Sequence, residues 1–248
     1  MAPKYLLDAS GKDAAKVTET PVQALNGAAL GPDGSGKDGE NGYFFGCKTE
    51  PTKGQPGNYG TNGGKGFPGN NGGDCWTMTI TIDNFSGAPF QVGALGGKGS
   101  DAVGGARGGD GSDGGDAGKN TTHCKSAAPG GTGGAAGNGG DGELGGNGGN
   151  GGNVTVSYGT GLATPPVTAE TRGGTAGLNS QPGSFGTPGK GGLNSDGQTY
   201  ASPGGSGVSG KSPTDAPSTG QTGNFSAGSD ARLGPNGLKI QIVTQLGS

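Results

Sequence analysis

Residues 145–156 read GGNGGNGGNVTV, and this passage from a glycine repeat into an alternating segment decides the fold. Up to Asn153 the residues recur with a period of three, and from Val154 onward apolar and polar residues alternate. A period of three fits neither an α-helix nor a strand, whose side chains repeat about every 3.6 and 2.0 residues. It is the period of an extended left-handed helix with about three residues per turn. The sequence therefore predicts extended glycine helices that lead into half-buried strands.

Glycine keeps this phase in four arrays, which cover residues 54–72, 93–114, 130–151 and 174–192. A helix of this kind has no internal hydrogen bonds, so its amides and carbonyls must pair with neighbouring chains. A bare glycine face lets two backbones approach closely enough for that pairing. The predicted fold class is a mostly irregular polyglycine II helix bundle with a few short β-strands, three repeats and little or no α-helix.

The other columns of the arrays predict which helices lie inside the bundle. In the third array a second column is also glycine, broken only by Glu143, which predicts a central position. The first array carries side chains such as Gln55 and Tyr59 on its other faces, which predicts an outer position. We therefore expect Gly142→Val to damage the fold more than Gly66→Val. We also expect each array to fold back at an Asn-Gly or Ser-bearing step.

The composition excludes a conventional apolar core. Glycine supplies 65 of 248 residues and the hydrophobic fraction is 27%, whereas an ordinary globular chain is about 45–50% apolar. Charged residues make up only 14%, so the chain is not a self-repelling polyelectrolyte. Collagen is the structural rival. It needs about 15–20% proline or hydroxyproline, and 16 prolines in 248 residues fall well short of that content.

Three related blocks divide the chain. Each block opens with proline and a short apolar segment, carries a small Lys-centred element, and closes on an alternating strand. The openings are residues 21–24, 89–92 and 166–169; the central elements are residues 47–49, 124–126 and 210–212; the closing strands are residues 78–82, 154–158 and 240–243. The predicted organisation is an N-terminal segment at 1–20 and repeats at 21–84, 85–160 and 161–248, which form one cooperative domain.

The alternating strands predict one small apolar core. Its members are the inward residues of the closing strands and the apolar residues near them. This set is Met78, Ile80, Ile82, Val154, Val156, Tyr158, Ile240, Ile242, Phe90, Val92, Val167 and Trp76.

Three cysteines permit at most one intrachain disulfide. Cys47 and Cys124 occupy equivalent positions in two repeats, and equivalent positions stack on one another in a repeat architecture. We therefore expect Cys47 and Cys124 to be spatial neighbours and Cys75 to stay unpaired. No C-x-x-C pair occurs, and His123 is the single histidine, so a zinc site is not expected.

Charge and hydropathy exclude two classes of partner. The formal net charge is −3, and only 16 Lys and Arg residues are spread along the chain, which argues against nucleic-acid binding. No stretch of about 18 apolar residues occurs, so a membrane span is not expected. Residues 1–16 do not read as a secretory signal peptide. We nevertheless expect an extracellular or virion-surface location, reached after signal removal, by lysis or by a leaderless route.

Two motifs look like ligand sites and have simpler interpretations. Residues 205–212 match a phosphate-binding loop, but Pro213 prevents the helix that such a loop must open. Asp110, Asp113 and Asp116 lie three residues apart, too far for one calcium ion in an extended chain, and predict a solvated acidic edge. We therefore predict no cofactor and no metal.

A catalytic centre is not expected either. His123 is flanked by a thiol and two threonines, and no carboxylate that could orient its ring can be identified. The prediction is that the protein is not an enzyme.

The glycine pattern resembles that of three known groups. The run at residues 145–156 resembles the Gly-rich N-terminal domain of Obg GTPases, where similar runs feed into strands. The alternation of glycine motifs and variable segments resembles the receptor-binding adhesins of T-even-type phage long tail fibres. Glycine at every third residue also resembles springtail antifreeze proteins. These resemblances imply a polyglycine II scaffold that displays surface loops or a flat face.

The sequence thus predicts a non-enzymatic structural or recognition module of the adhesin type. Its partner is expected to be a cell-surface glycan or protein. The alternatives are an ice-binding protein and a fibre or matrix subunit. Tyr43, Phe44 and Phe45 form an aromatic trio, and exposed aromatic residues favour interfaces. The other interpretation of this trio is a cap over the end of the bundle. The candidate contact residues are Tyr43, Phe44, Phe45, Asn120, Thr121, Thr122, His123 and Tyr200, the last in the segment 194–200.

Overall fold

The computed structural model describes residues 7–82, 89–159, 167–230 and 238–241. Regular structure in these residues consists of nine strands in three sheets and one 3-10 turn, Pro32–Gly34. The predicted fold class, a polyglycine II helix bundle, is wrong, because the fold is sheet-based and has essentially no helix. The strands at the ends of the glycine-rich stretches pair directly with one another.

Two larger sheets contain most of the strands. The first has the order β1-β5-β7 and is parallel throughout. The second has the order β8-β6-β4-β9, and only the edge strand β9 is antiparallel. A third, antiparallel sheet contains β2 and β3. The strands are β1 Leu7–Asp8, β2 Glu40–Asn41, β3 Cys47–Thr49, β4 Met78–Ile82, β5 Phe90–Gly93, β6 Val154–Gly159, β7 Val167–Glu170, β8 Phe225–Asp230 and β9 Leu238–Gln241.

The apolar core lies between the two larger sheets and largely matches the predicted set. Its buried members are Met78, Ile80, Ile82, Val92, Ala94, Val154, Val156 and Val167. Phe90 and Tyr158 pack against them and are partly buried. Trp76 was predicted in this core and is 40% exposed instead. The side chains of Ile240 and Ile242 lie outside the described residues.

Two strand predictions need correction. The third parallel partner in the second sheet is β8, which the sequence did not predict, and its Phe225 pairs in register with Val154. The predicted closing strand at 240–243 overlaps β9, and residues 242–243 lie outside the described part. At the start of the chain, residues 21–24 form no strand and Val22 is 77% exposed. The strand that pairs with β5 is β1, which comes earlier.

Six extended glycine-rich segments connect the strands. We number them segment 1 to segment 6, and they cover residues 9–39, 50–77, 94–119, 128–153, 171–193 and 201–224. Their backbones are cross-linked at three-residue intervals. From Gly54 to Gly72, for example, every third amide of segment 2 donates to a carbonyl of segment 4. The expected fold-back within an array is therefore wrong for this segment, since the pairing runs through it without interruption.

The segments form two layers of opposite direction. Segments 1, 3 and 5 run parallel, and each follows a strand of the first sheet, β1, β5 or β7. Segments 2, 4 and 6 run parallel to one another, and each precedes β4, β6 or β8. Contacts between the layers are antiparallel, as between Gly54 and Gly115 and between Gly72 and Gly97. The unit of strand, segment, loop, segment and strand thus occurs three times, at residues 7–82, 90–159 and 167–230.

This topology places the two larger sheets at one end, which we call the sheet end. The three loops that join segments within a unit lie at the opposite end, the loop end. They are the first loop at residues 40–49, the second loop at residues 120–127 and the third loop at residues 194–200.

Neither of the two glycines that the sequence ranked has room for a side chain. A Cβ on Gly66 would overlap the carbonyl oxygen of Val103, and one on Gly142 would lie 2.6 Å from the Ser180 oxygen. Gly66 is enclosed because segment 2 packs against segments 1, 3 and 4. Segment 4 packs against segments 2, 3, 5 and 6, so the predicted central position of the third array is confirmed. Because Gly66 is enclosed as well, the ranking of Gly142→Val above Gly66→Val stays a prediction.

Asparagine and aspartate side chains extend the cross-linking within each layer. The Asn71 Oδ1 accepts a hydrogen bond from the Asn147 amide at 2.8 Å, and the Asn147 Oδ1 accepts one from the Ser218 amide at 2.8 Å. Each bond joins equivalent positions of consecutive repeats, 76 and 71 residues apart. The polar columns are thus structural ladders between neighbouring segments.

The predicted solvated acidic edge belongs to such a ladder. Asp110, Asp113 and Asp116 accept hydrogen bonds at 2.6, 2.7 and 2.7 Å from amides of segment 5. The Arg107 guanidinium, followed by the Thr187 amide, lowers the pKa of Asp110. These carboxylates hold a neighbouring backbone in place.

Candidate functional site

The three segments that the sequence proposed as contact sites all lie at the loop end. Each belongs to one of the three loops: residues 43–45 to the first, 120–123 to the second and 194–200 to the third. Repeat equivalence brings them there, because each loop occupies the same place in its unit. The loops contact each other in chain order, first to second and second to third.

The first loop presents three aromatic side chains to solvent. Tyr43, Phe44 and Phe45 are 96%, 90% and 90% exposed, so they do not cap the body of the molecule. Phe44 and Phe45 have φ angles of 61° and 65°. A left-handed backbone is uncommon for residues other than glycine and costs about 1–3 kcal/mol at each position. The loop therefore keeps two exposed rings in a conformation that the local chain does not favour.

Short-range contacts close the base of this loop. β2 and β3 pair with a register irregularity, and the Gly42 amide donates to the Gly46 carbonyl at 2.7 Å. The Lys48 ammonium lies 2.6 Å from a Glu40 carboxylate oxygen. The aromatic residues thus form the tip of a hairpin with a defined base.

Asn41 connects the first loop to the second. Its Oδ1 accepts hydrogen bonds from the Thr121 hydroxyl at 2.7 Å and from the His123 amide at 3.0 Å. The rings of Phe45 and His123 meet edge to face, with centroids 6.1 Å apart and planes at 86°. The sequence did not single out Asn41, because an isolated Asn carries no signal of a contact that spans 80 residues.

A disulfide fixes the same junction. Cys47 and Cys124 are bonded, with Cα atoms 4.8 Å apart, which confirms the predicted neighbourhood. Cys124 is fully buried. Cys75 is the free thiol among the described residues, and burial raises its pKa. Glu50 lies near both bonded sulfurs, but sulfurs joined to each other are not the thiolates that a metal requires.

The third loop is a compact turn built around Asp196. Its Oδ1 accepts from the amides of Gln198 and Thr199 at 2.8 and 3.0 Å, and its Oδ2 accepts from the Thr199 hydroxyl at 2.7 Å. The two amides, followed by that hydroxyl, lower the pKa of Asp196. Gly197 has a φ of 67°, which allows the tight turn. Tyr200 pairs with Leu193 where the loop ends and is 70% exposed.

The second and third loops are joined through Ser195. Its carbonyl accepts from the Asn120 amide at 3.1 Å, and its amide donates to the Ala128 carbonyl at 2.9 Å. Its hydroxyl donates to the Ser126 carbonyl at 3.0 Å and accepts from the Ala128 amide at 2.9 Å. The three loops consequently form one connected surface, from Tyr43 at one side to Tyr200 at the other.

The structure brings most of the candidate residues into this surface. Thr121 and His123 contact the first loop directly, and Asn120 contacts the third. Thr122 is exposed beside them. Glu40, which the sequence did not single out, stabilises the first loop, and Asp196, which lies within the predicted segment 194–200, stabilises the third.

Comparison with known proteins gives little further information. No family model and no curated protein matches the chain. Among solved structures, the chain is similar to a springtail antifreeze protein from Granisotoma rainieri, described as a nine polyproline type II helical bundle. The identity is 20%, the alignment covers 68% of this chain and 97% of that one, and the TM-score is 0.09. The comparisons give no match for the predicted resemblances to phage adhesins and Obg GTPases.

The described residues contain no helix that is both long and apolar enough to cross a membrane.

Proposed function

We propose that this chain is a non-enzymatic recognition module whose loop end binds a ligand on a cell surface. The observation that carries the proposal is the aromatic trio of the first loop, Tyr43, Phe44 and Phe45, which is at least 90% exposed. Two of these residues have a left-handed backbone. Covering large, exposed aromatic side chains with a partner contributes strongly to the free energy of binding.

The construction of the loop end supports the same function. A disulfide and side-chain hydrogen bonds connect the first loop to the second, and Ser195 connects the second to the third. Such cross-links reduce the conformational entropy that the loops lose when they bind. Binding residues commonly sit on loops that a rigid scaffold positions, and the cross-linked segments supply that scaffold.

An extracellular or virion-surface location suits this proposal. Disulfides form and persist in oxidising surroundings, and the Cys47–Cys124 bond joins two of the proposed binding loops.

The ice-binding alternative has less support from the geometry. It requires a flat face with a regular chemical repeat. The outward column of segment 4 contains Thr132, Asp141 and Leu144, which differ in size and charge. Thermal hysteresis of the purified protein distinguishes the two functions, and the recognition proposal expects none.

The direct test is binding of labelled protein to intact cells. The triple variant Tyr43→Asn/Phe44→Asn/Phe45→Asn removes the rings, and asparagine tolerates the left-handed backbone. The matched control, Tyr59→Asn/Leu178→Asn/Val208→Asn, replaces three residues of the segments that are 74%, 71% and 64% exposed. We expect the loop variant to bind at least about 30-fold more weakly and the control to bind as wild type. Equal binding by the two variants would overturn the proposal.

A further inference from the structure

A cavity of about 440 Å³ lies between the second and third loops. This volume falls within the range of about 300–1,000 Å³ that is usual for small-molecule sites. The cavity belongs to the loop end but is separate from the aromatic trio. Residues of the second loop, of the start of segment 4 and of the third loop line it.

One wall of the cavity is held rigidly. The Asn194 side chain donates to the Thr199 hydroxyl at 2.8 Å and accepts from the Gly130 amide at 2.8 Å. Asp196 accepts three hydrogen bonds from Gln198 and Thr199, and this bonding keeps its carboxylate ionised. The wall therefore offers fixed oxygen acceptors without further rearrangement.

The second loop contributes two further polar residues to the lining, Asn120 and Lys125. Lys125 is exposed and makes no hydrogen bond or ion pair with the described residues. The side-chain oxygen of Asn120 is buried and has no hydrogen-bond partner among those residues. That oxygen is closed to solvent, so a ligand in the cavity cannot donate to it. The group of Asn120 that a ligand can bond is the amide nitrogen, which is a donor.

The charges of the lining select the class of ligand. Lys125 and Asp196 are the charged residues of the lining and have opposite signs. An anion would meet the Asp196 carboxylate, and a cation would meet the Lys125 ammonium. A neutral hydroxyl can accept from the ammonium or from the Asn120 amide nitrogen and donate to the carboxylate. The three residues Ala127, Ala128 and Pro129 supply an apolar strip for a ring face.

We infer that this cavity is a subsite for one neutral saccharide unit, bound through its hydroxyl groups. The inference rests on the proposed function and specifies part of the ligand that the loop end binds. The Lys125 ammonium and the Asn120 amide bind the hydroxyls, and the strip of Ala127, Ala128 and Pro129 packs against the sugar ring.

The test is a titration with methyl glycosides of neutral hexoses, followed by saturation-transfer NMR on the intact protein. We expect at least one glycoside to bind with a Kd of about 1 mM, a typical affinity for a ligand of this size. Lys125→Met is expected to weaken that binding about tenfold. Lys53→Met, an exposed lysine outside the cavity, serves as the matched control and is expected to change nothing.

A second variant guards against a purely structural effect. Asn120→Ala should weaken the same glycoside while leaving the disulfide and the melting temperature within about 2 °C of wild type. No binding of any neutral glycoside up to about 50 mM would overturn the inference. Binding of only anionic or only cationic glycosides would overturn the ligand class and therefore also the inference.

The outcome for this subsite is distinguishable from that for the whole loop end. If cell binding depends on the aromatic trio and no glycoside binds, the saccharide subsite is wrong and the recognition function stands. If glycosides bind at Lys125 but substitution of the aromatic trio does not change cell binding, the aromatic proposal is wrong and the subsite stands.

Discussion

The sheet end and the loop end are built from the same three repeats, yet different interactions hold them together. At the sheet end, Ile80, Val92 and Val156 are fully buried in an apolar core. At the loop end, large apolar side chains such as Phe44 point into water, and a disulfide and polar side chains make the connections. One end stabilises the fold by burial, whereas the other holds exposed groups in place. This division predicts that stability and binding respond to different substitutions.

The largest effect on stability is expected in neither end but in the glycine segments between them. A Cβ on Gly108 would overlap the backbone carbonyl of Gly137, whereas the nearest atom to a Cβ on Gly205 is the Ala135 Cβ at 3.9 Å. Gly108→Ala must separate two segments and leave several amides and carbonyls unpaired. We expect a loss of at least about 3 kcal/mol in the free energy of unfolding. Gly205→Ala should change it by less than about 1 kcal/mol. Urea denaturation measures both, and similar midpoints would contradict the close packing of the segments.

The next largest effect belongs to the sheet end. Ile80 is fully buried, and Ile80→Ala removes methyl and methylene groups from the core, which should destabilise the protein by about 2–5 kcal/mol. Thr155→Ala, on the exposed face of the neighbouring strand, should cost less than about 1 kcal/mol. Thermal and urea unfolding of the two variants test this contrast. At temperatures where Ile80→Ala is folded, its ligand binding should equal that of wild type.

The disulfide of the loop end should have a smaller effect on stability and a larger one on function. Cys47→Ser/Cys124→Ser removes a cross-link that spans 77 residues, for which a loss of about 2–4 kcal/mol is expected. The same variant frees the first loop from the second, so binding should weaken as well. Cys75→Ser, which alters the free thiol at the sheet end, should leave binding unchanged. If the double variant loses stability and keeps full affinity, the cross-link does not organise the binding surface.

The smallest effect is a dependence on pH. The pKa of Asp110 is lowered by Arg107 and by the Thr187 amide, so its stabilisation is present above the ordinary aspartate pKa. It is lost as the pH falls through the lowered pKa of the folded state. The urea midpoint of wild type should therefore fall between about pH 5 and pH 2. Asp110→Asn keeps an oxygen for the Thr187 amide and cannot titrate, so its midpoint should fall less. An identical pH profile for the two proteins would contradict the role of this carboxylate.

The sequence predicted the strands whose pattern is local. Residues 78–82 and 154–158 alternate apolar and polar side chains, and both segments are strands with the expected buried faces. β8 reads FSAGSD and has no such alternation, so its pairing depends on its position one repeat after β6. The same positional logic, applied to the cysteines, correctly predicted the disulfide.

Other features depend on tertiary contacts that no local pattern carries. The bonds from Asn71 to Asn147 and on to Ser218 require the register of three segments, which the glycine period alone does not give. The convergence of the first, second and third loops likewise follows from the alternating directions of the six segments. The candidate residues could be chosen from their chemistry, but their common location required the fold.

Site-directed blocking of each end tests the central claim most directly. In a Cys75→Ser background, Thr122→Cys places a thiol at the loop end and Thr155→Cys places one at the sheet end, both at exposed positions. Each variant is coupled to the same maleimide polymer, and binding to intact cells is measured before and after coupling. The account predicts that the polymer abolishes binding at position 122 and leaves it unchanged at position 155. Loss of binding only when position 155 is blocked would contradict it.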